Sequence, residues 1–363
     1  MRYLILGGLF LIGLTLGALN SNKSRTDVLE VIEDPVHTVC ESPITSGLLS
    51  NKMKGMSFVA PPNPFPEDPV VSLHGLGVDC IAVLPYAYFK KNEPTIHSFS
   101  SGGWWGERPE GICKTVEHAH KKGIKVMLKP QLWTHDQWIG DLNFKNDKEW
   151  KAFEKNYSVF ILKWATIADS MKIDMLCIGT EIRHSTEQRP KYWRGLIKAV
   201  RKVYKGKLTY APNWDDYNKV TFWDQLDYIG IDAYFPLSFD KTPTVCDLKQ
   251  AWQPTLNELK AYSEKWKIPI LFTEFGYLSL DGCAGKTWEL EKDRHSVDIN
   301  QQAQSNAIQA LLEVFAEEDW WAGGFLWKWY PNYSSAMGEG KRARDYTPQG
   351  KLAEKMLRKM FSD

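Results

Sequence analysis

The chain carries almost no net charge, because 45 lysines and arginines balance 44 aspartates and glutamates over its 363 residues. This balance gives no electrostatic basis for binding nucleic acid or an anionic membrane, so we expect an uncharged partner. The sequence also lacks a His-Glu-x-x-His pair, a Gly-x-Ser-x-Gly elbow and a phosphate-binding glycine loop. Metalloprotease, esterase and nucleotide-dependent chemistries therefore lack the residues they need, and we expect no cofactor and no metal.

Cysteine is scarce as well, with six residues and no Cys-x-x-Cys pair. Six are too few for a scaffold built on disulfides in a chain of this length, and their spacing argues against a cysteine metal site. Cys80 and Cys177 lie within apolar runs and are expected to be buried. Cys246 and Cys283 fall in polar stretches after two successive predicted strands, and a disulfide between them is one of two open alternatives.

The N-terminus carries Arg2 and then an apolar stretch over residues 4–19, followed by polar residues. This pattern predicts a signal peptide over residues 1–25; an uncleaved membrane anchor is the alternative, because the stretch approaches the roughly 17 residues that can span a bilayer. Either reading predicts an exported domain, secreted or periplasmic, with residues 4–19 as a tether if they are retained. Residues 26–51 are predicted to be a linker.

From residue 55 onward, short apolar runs alternate with helical patterns, which is typical of a parallel sheet built from βα units. There are eight such runs, the number found in a TIM barrel. They are residues 55–60, 80–85, 124–130, 175–180, 208–212, 228–234, 268–274 and 323–329. Helices are predicted over residues 109–122, 147–171, 192–204, 254–266, 300–316 and 350–361. The sequence therefore predicts a single (β/α)8 barrel domain over residues 52–363.

Two of these runs end in a glutamate, Glu181 after the fourth and Glu274 after the seventh. The carboxyl ends of barrel strands are where active sites form, and a charged residue there is unlikely as core filler. Cleavage of a glycosidic bond needs two carboxyl groups facing each other. The sixteen tryptophans, many in predicted loops, fit stacking on the apolar faces of sugars, although tryptophan also fills cores.

The strand ends resemble those of glycoside hydrolase family 113, at residues 179–181, 232–234, 273–277 and 327–329. This is a (β/α)8 family of the clan A retaining glycosidases, and it contains β-1,4-mannanases. The resemblance implies that Glu181 is the acid/base and Glu274 the nucleophile. It also implies that Tyr234 hydrogen-bonds the nucleophile and that Trp327 forms the aromatic floor under the sugar, for which a barrel-filling tryptophan is the alternative.

The chain departs from the clan pattern at one position. Thr180 stands immediately before Glu181, where the clan usually has an asparagine. That asparagine contacts the sugar 2-hydroxyl in the clan, and the candidates for this contact here are Thr180 itself and Asn213 at the end of the fifth strand.

Further polar and aromatic residues follow the third and fifth strands and are candidates for sugar binding: Lys129, Gln131, Trp133 and Trp214. Their side chains can hydrogen-bond and stack, although polar strand ends also tie loops together. The leading hypothesis is hydrolysis of a mannan-type polysaccharide with retention. The alternatives are another β-glycan specificity, such as glucan or mannosidase activity, a barrel that binds polysaccharide without cutting it, and a membrane-tethered scaffold.

Overall fold

The apolar runs of the sequence form the strands of a parallel sheet. The computed structural model describes residues 43–90, 93–98, 103–135, 137–331 and 342–362, which belong to one compact unit of the chain. The strands are β1 (Met53–Phe58), β2 (Cys80–Val83), β3 (Tyr86–Phe89), β4 (Ile96–Ser98), β5 (Lys125–Leu128), β6 (Gln131–Trp133), β7 (Met175–Thr180), β8 (Lys207–Ala211), β9 (Ile229–Asp232), β10 (Ile270–Phe275) and β11 (Trp321–Trp329).

Eight of these strands pair side by side in the order β8-β7-β5-β2-β1-β11-β10-β9. A parallel bridge between Asn213 and Asp232 connects the two ends of this row and nearly closes the barrel. Each of the eight predicted runs contributes one barrel strand. The predicted (β/α)8 fold is therefore confirmed.

The barrel strands are buried on both faces because side chains fill the interior and helices cover the outside. Along β2, Cys80 and Ala82 join a small cluster drawn from the strands alone, whereas Ile81 and Val83 join the larger cluster that includes the helices. This alternation follows from the two-residue period of a strand. It explains why the runs read as continuously apolar rather than alternating.

The helices are α1 (Val71–Leu76), α2 (Pro109–Lys121), α3 (Asp147–Ser170), α4 (Arg183–Gln188), α5 (Pro190–Val203), α6 (Val245–Trp266), α7 (Thr287–Asp293), α8 (Gln301–Ala316) and α9 (Leu352–Phe361). The longest begin at polar caps: Asn146 accepts a hydrogen bond from the Glu149 backbone N–H, and Thr244 and Asp247 form a reciprocal capping box. This box makes α6 start nine residues earlier than the predicted residue 254, so Pro254 lies inside the helix rather than at its first turn.

A second, three-stranded sheet, with the order β4-β3-β6, was not predicted from the sequence. Its strands β3 and β6 follow barrel strands β2 and β5 after two residues each, and they continue the parallel pairing beyond the barrel. The sheet therefore extends the wall of the barrel at its carboxyl end. It carries Gln131 and Trp133, which were predicted to lie in an irregular strand end.

The proposed pairing of Cys246 with Cys283 is wrong. Cys283 is a free thiol with no exposed surface, and Cys246 is disulfide-bonded to another residue. The polar stretch that contains Cys246 is not a loop, because Cys246 lies in the first turn of α6. Cys80 and Cys177 are buried free thiols, as predicted.

The predicted signal peptide or anchor at residues 1–25, with its tether at 4–19, lies outside the described residues, as does the linker up to residue 42. The end of the linker packs on the barrel: Leu49 is buried, and the Gly47 N–H donates to the Ser362 carbonyl oxygen at 3.0 Å. None of the helices in the described ranges has the length and apolar character needed to cross a membrane.

Two glycine-to-alanine changes test the packing of the barrel. At Gly230 in β9 an added Cβ would stand 2.1 Å from the Tyr210 carbonyl oxygen, whereas at Gly195 in α5 it would meet no atom within 4 Å. We expect Gly230→Ala to lower the free energy of unfolding by about 1–3 kcal/mol. Gly195→Ala should raise it by about 0.5–1 kcal/mol, because alanine loses less backbone entropy in a helix.

Denaturant-induced unfolding of both variants measures these changes. A Gly230→Ala variant as stable as the Gly195→Ala variant would contradict the close approach of β8 and β9.

Candidate active site

The carboxyl ends of β7 and β10 bring Glu181 and Glu274 to the same cavity. This central cavity has a volume of about 260 Å³. Its lining includes Tyr86, Gln131, Trp133, Trp138, Thr180, Glu181, Asp232, Glu274 and Trp327. In chain order β7 and β10 are the fourth and seventh strands of the barrel, and they lie across its mouth from each other. The two carboxyl groups therefore face a shared space.

Glu274 is buried, and its carboxylate accepts hydrogen bonds from three side chains. Gln131 Nε2 and the Lys129 ammonium donate to Oε1, the first at 2.9 Å, and the Tyr234 hydroxyl donates to Oε2 at 2.9 Å. Hydrogen bonds to a carboxylate favour its ionised form. The arrangement is therefore suited to a negative charge at a fixed position.

Lys129 lies beneath this carboxylate with no exposed surface. Its ammonium also donates to both carboxylate oxygens of Asp232, at 3.0 and 3.2 Å, and the Thr273 hydroxyl donates to the same Asp232. Burial acts to lower the pKa of Lys129, but Asp232 and Glu274 outweigh it and raise the pKa above its usual value. Lys129 therefore supports the carboxylates and is not placed for the direct sugar contact expected from the sequence.

Glu181 has different surroundings. It is half-buried, and among the described side chains the indole N–H of Trp138 donates to its Oε2 at 2.6 Å. Burial and then the negative charge of Glu274 raise its pKa to about 7, against the opposing effects of the Trp138 hydrogen bond and of Lys129. Near neutral pH this carboxyl group can therefore both hold and release a proton.

A second and larger space, the side cavity, adjoins the same two glutamates. Its volume is about 740 Å³. Its lining includes Trp138, Arg183, Asn213, Trp214, Asp215, Tyr234, Trp288, Trp327 and Tyr346. The Trp214 and Trp288 rings stack with centroids 5.6 Å apart, and Trp288 is 40% exposed. Flat aromatic surfaces next to two carboxyl groups are suited to binding a chain of sugars.

The structure brings the predicted sugar-binding residues together with one exception. Trp327 lines both cavities, Trp133 and Thr180 line the central cavity, and Asn213 and Trp214 line the side cavity. Gln131 and Tyr234 line the cavities and also donate to Glu274. The exception is Lys129, because a fully buried ammonium cannot reach a ligand. The Asn213 amide donates to Asp215 at 3.0 Å, so part of its hydrogen-bonding capacity is already used.

Two residues of the site, Asp232 and Trp138, were not predicted from the sequence. Asp232 ends an apolar strand, as the two glutamates do, so the sequence contained a pattern that indicates it. Only Tyr234, two residues later, was named as a site residue on that strand. Trp138 lies in an irregular segment after β6 and belongs to no motif that could have indicated its contact with Glu181. Over the described residues, no group of three or more histidines, cysteines or acids could hold a metal ion.

Comparison with known proteins agrees with this geometry. The family model Glycoside Hydrolase Family 113 matches residues 65–351. The β-mannanase AaManA from Alicyclobacillus acidocaldarius, solved in complex with ManMIm, is similar in fold with a TM-score of 0.73 and 24% identity, over 87% of this chain and 99% of that chain. A complex of a family 113 β-1,4-mannanase has a TM-score of 0.72 and 24% identity, over 86% and 99%.

A β-glucuronidase from Ruminococcus gnavus is a more distant structural neighbour, with a TM-score of 0.57 and 13% identity over 85% of this chain and 49% of that chain. No curated protein matches the chain in sequence. At these identities the structural likenesses show the fold. The family model goes further, since its match runs through most of the barrel and includes both glutamates, and the chain therefore belongs to glycoside hydrolase family 113.

Proposed function

We propose that this glycoside hydrolase cleaves β-1,4-mannosidic bonds in mannan-type polysaccharides with retention of the anomeric configuration. Glu274 is the nucleophile, and Glu181 is the general acid and base. The observation that carries the proposal is the contrast between two carboxyl groups on one cavity: Glu274 accepts three hydrogen bonds, while burial and the charge of Glu274 raise the pKa of Glu181 to about 7.

These environments suit a two-step displacement. Glu274 attacks the anomeric carbon while Glu181 protonates the glycosidic oxygen, so the leaving chain departs as an alcohol. Bond formation removes the negative charge of Glu274, which is the second largest cause of the raised pKa of Glu181. The pKa of Glu181 then falls, so that Glu181 gives up its proton to the leaving group and remains a carboxylate. In the second step this carboxylate is the general base that accepts a proton from the water that hydrolyses the intermediate.

Mannan as the substrate is supported by the matching structures, one described as a β-1,4-mannanase and one as a β-mannanase, and by the aromatic lining of the two cavities. Trp327 lines both cavities and is the candidate floor for the sugar being cleaved. Thr180 lines the central cavity and Asn213 lines the side cavity, and both are candidates for the 2-hydroxyl contact. That contact distinguishes mannose from glucose, because the two sugars differ at this hydroxyl.

We also propose that the enzyme is exported, with residues 1–25 as a signal peptide or anchor, residues 26–51 as a linker and residues 52–363 as the catalytic barrel. The apolar stretch at residues 4–19 supports this organisation. The disulfide at Cys246 supports it independently, since structural disulfides persist in oxidising compartments.

Digestion of β-1,4-mannan and β-1,4-glucan by the full chain tests the substrate and the mechanism together. We expect oligosaccharides from mannan, with the β-anomer released first, as read by NMR during the early minutes of the reaction. Products from glucan alone would reject mannan as the substrate, and an α-anomer as the first product would reject retention. Binding of either glycan without cleavage would indicate a non-catalytic barrel.

Substitution of the two glutamates separates their roles. Glu274→Ala should abolish turnover of every substrate, because the covalent step is lost. Glu181→Ala should lower kcat/KM on mannan by about 10²–10⁴-fold but spare aryl β-mannosides with good leaving groups, which need no protonation. Glu187→Ala is the matched control, since this α4 residue pairs with Lys219 at the surface and should keep full activity. Equal losses on both kinds of substrate would contradict the assigned roles.

The pH profile tests the protonation state of Glu181. Because its pKa is raised to about 7, the group is protonated below that pH and loses its proton above it. We expect kcat/KM for manno-oligosaccharides to fall as pH rises through about 7, and kcat/KM for an activated aryl mannoside to fall much less. Initial rates between pH 5 and about 9 measure the pH dependence of kcat/KM for both substrates. A common alkaline limb for both substrates would assign the titration to another group.

A further inference from the structure

We propose that Trp138 and Arg183 form a brace that positions the carboxyl group of Glu181 for proton transfer, with Arg183 acting through Trp138. This inference rests on the proposed role of Glu181 as the acid. Trp138 and Arg183 are positioning residues. The brace consists of Trp138, Arg183 and the two aspartates that hold Arg183, Asp215 and Asp216.

The first contact is the hydrogen bond from the Trp138 indole N–H to Glu181 Oε2, at 2.6 Å. An N–H that donates to a carboxyl oxygen stabilises the ionised form and fixes the rotation of the group. Because an indole nitrogen can donate but not accept, it fixes Oε2 as an acceptor and leaves the other oxygen to carry the proton. Trp138 thereby selects which oxygen of Glu181 reaches the substrate.

The second contact holds the indole. The Arg183 guanidinium lies over the Trp138 ring, 4.8 Å from its centroid, as in a cation–π interaction. Two aspartates that follow β8 hold the guanidinium: Nε donates to Asp216 at 3.0 Å, and Nη2 donates to Asp215. A planar guanidinium can stack and form this fork at the same time, which a lysine ammonium cannot.

The backbone closes the brace into a ring of contacts. Arg183 is two residues after Glu181, and its N–H donates to the Glu181 carbonyl oxygen at 2.9 Å. Glu181 is therefore held at its main chain by Arg183 and at its carboxyl group by Trp138, while Arg183 and Trp138 hold each other. Arg183, Trp138 and Asp215 also line the side cavity, so a bound sugar chain would rest against the brace.

Other charged groups also act on Glu181 and must be separated from the brace. Glu274 raises its pKa and Lys129 lowers it, and both belong to the cluster behind the central cavity. Asp216 raises it from the β8 side, and burial raises the pKa of Asp216 itself to about 6. Asp216 therefore titrates at lower pH than Glu181, so the alkaline limb is the readout that reports mainly on Glu181.

The test is the pH dependence of kcat/KM for a soluble β-1,4-manno-oligosaccharide. In Trp138→Phe the ring under Arg183 remains and the N–H is lost, so we expect the alkaline limb to move to higher pH by about one unit. Arg183→Lys keeps the charge but loses the stack, and it should move the limb in the same direction by less. If Arg183 acts through Trp138, the double variant should match Trp138→Phe alone.

Arg194→Lys is the matched control, because Arg194 forms a similar fork with Asp224 on the exposed side of α5 and should leave the profile unchanged. Thermal unfolding checks that each variant is folded, and Arg183→Lys carries the test if Trp138→Phe is not. An unshifted limb in folded Trp138→Phe overturns the proposal, and shifts that add fully in the double variant overturn the action of Arg183 through Trp138.

A titration that needs no turnover separates this inference from the proposed function. The carboxyl ¹³C signal of Glu181, assigned by its loss in Glu181→Gln, should titrate at higher pH in Trp138→Phe than in the unaltered protein. Absence of any glycan cleavage would reject the proposed function, whereas an unchanged titration would reject the brace.

Discussion

The ammonium of Lys129, buried between the carboxylates of Asp232 and Glu274, is the interaction on which the barrel mouth depends. It joins the ends of three strands, β5, β9 and β10. Removing one partner from such a buried group leaves an uncompensated charge and costs about 3–5 kcal/mol, yet apolar residues of equal volume often stabilise a core as well. Stability alone therefore does not account for it. The burial of two carboxyl groups at the same strand ends does account for it, because a nearby cation offsets the cost of burying their charge.

The asymmetry of the two glutamates follows from this cluster. One ammonium faces two carboxyl groups, and burial and then the charge of Glu274 raise the pKa of Asp232 well above its usual value. Lys129 contacts Glu274 directly, whereas at Glu181 burial and then the charge of Glu274 outweigh Lys129 and Trp138 and raise the pKa to about 7. The two glutamates of one cavity thus have different environments, because Glu274 contacts the buried ammonium and Glu181 receives a hydrogen bond from Trp138.

The sequence predicted what depends on local pattern. The eight apolar runs form the eight barrel strands, and the glutamates at the carboxyl ends of β7 and β10 lie together because the carboxyl ends of all parallel strands in a barrel meet at the same face. It did not predict what depends on packing between distant segments. Lys129 after β5 was a candidate for sugar binding but is fully buried, and Trp138 belongs to no motif. A disulfide between Cys246 and Cys283 was one of two alternatives that the sequence left open, and Cys283 is a free thiol.

The backbone at Glu181 shows how the fold accommodates its acid. Its φ of 54° lies in the left-handed region, which costs a residue with a side chain about 1–3 kcal/mol. Three hydrogen bonds hold the turn: the Glu181 N–H to the Ala211 carbonyl at 2.7 Å, the Ile182 N–H to the Tyr210 hydroxyl at 2.9 Å, and the Arg183 N–H to the Glu181 carbonyl.

A glycine would relieve this strain but has no carboxyl group. Glu274, by contrast, lies within β10 and pairs with Asp232 of β9 just after a register shift, so its position is set by the sheet. The nucleophile candidate is thus fixed by the barrel itself, whereas the acid candidate is fixed by a strained turn at the barrel's edge. A group held by a turn needs support for its side chain that the sheet cannot give, and the contacts of Trp138 and Arg183 are placed where that support is required.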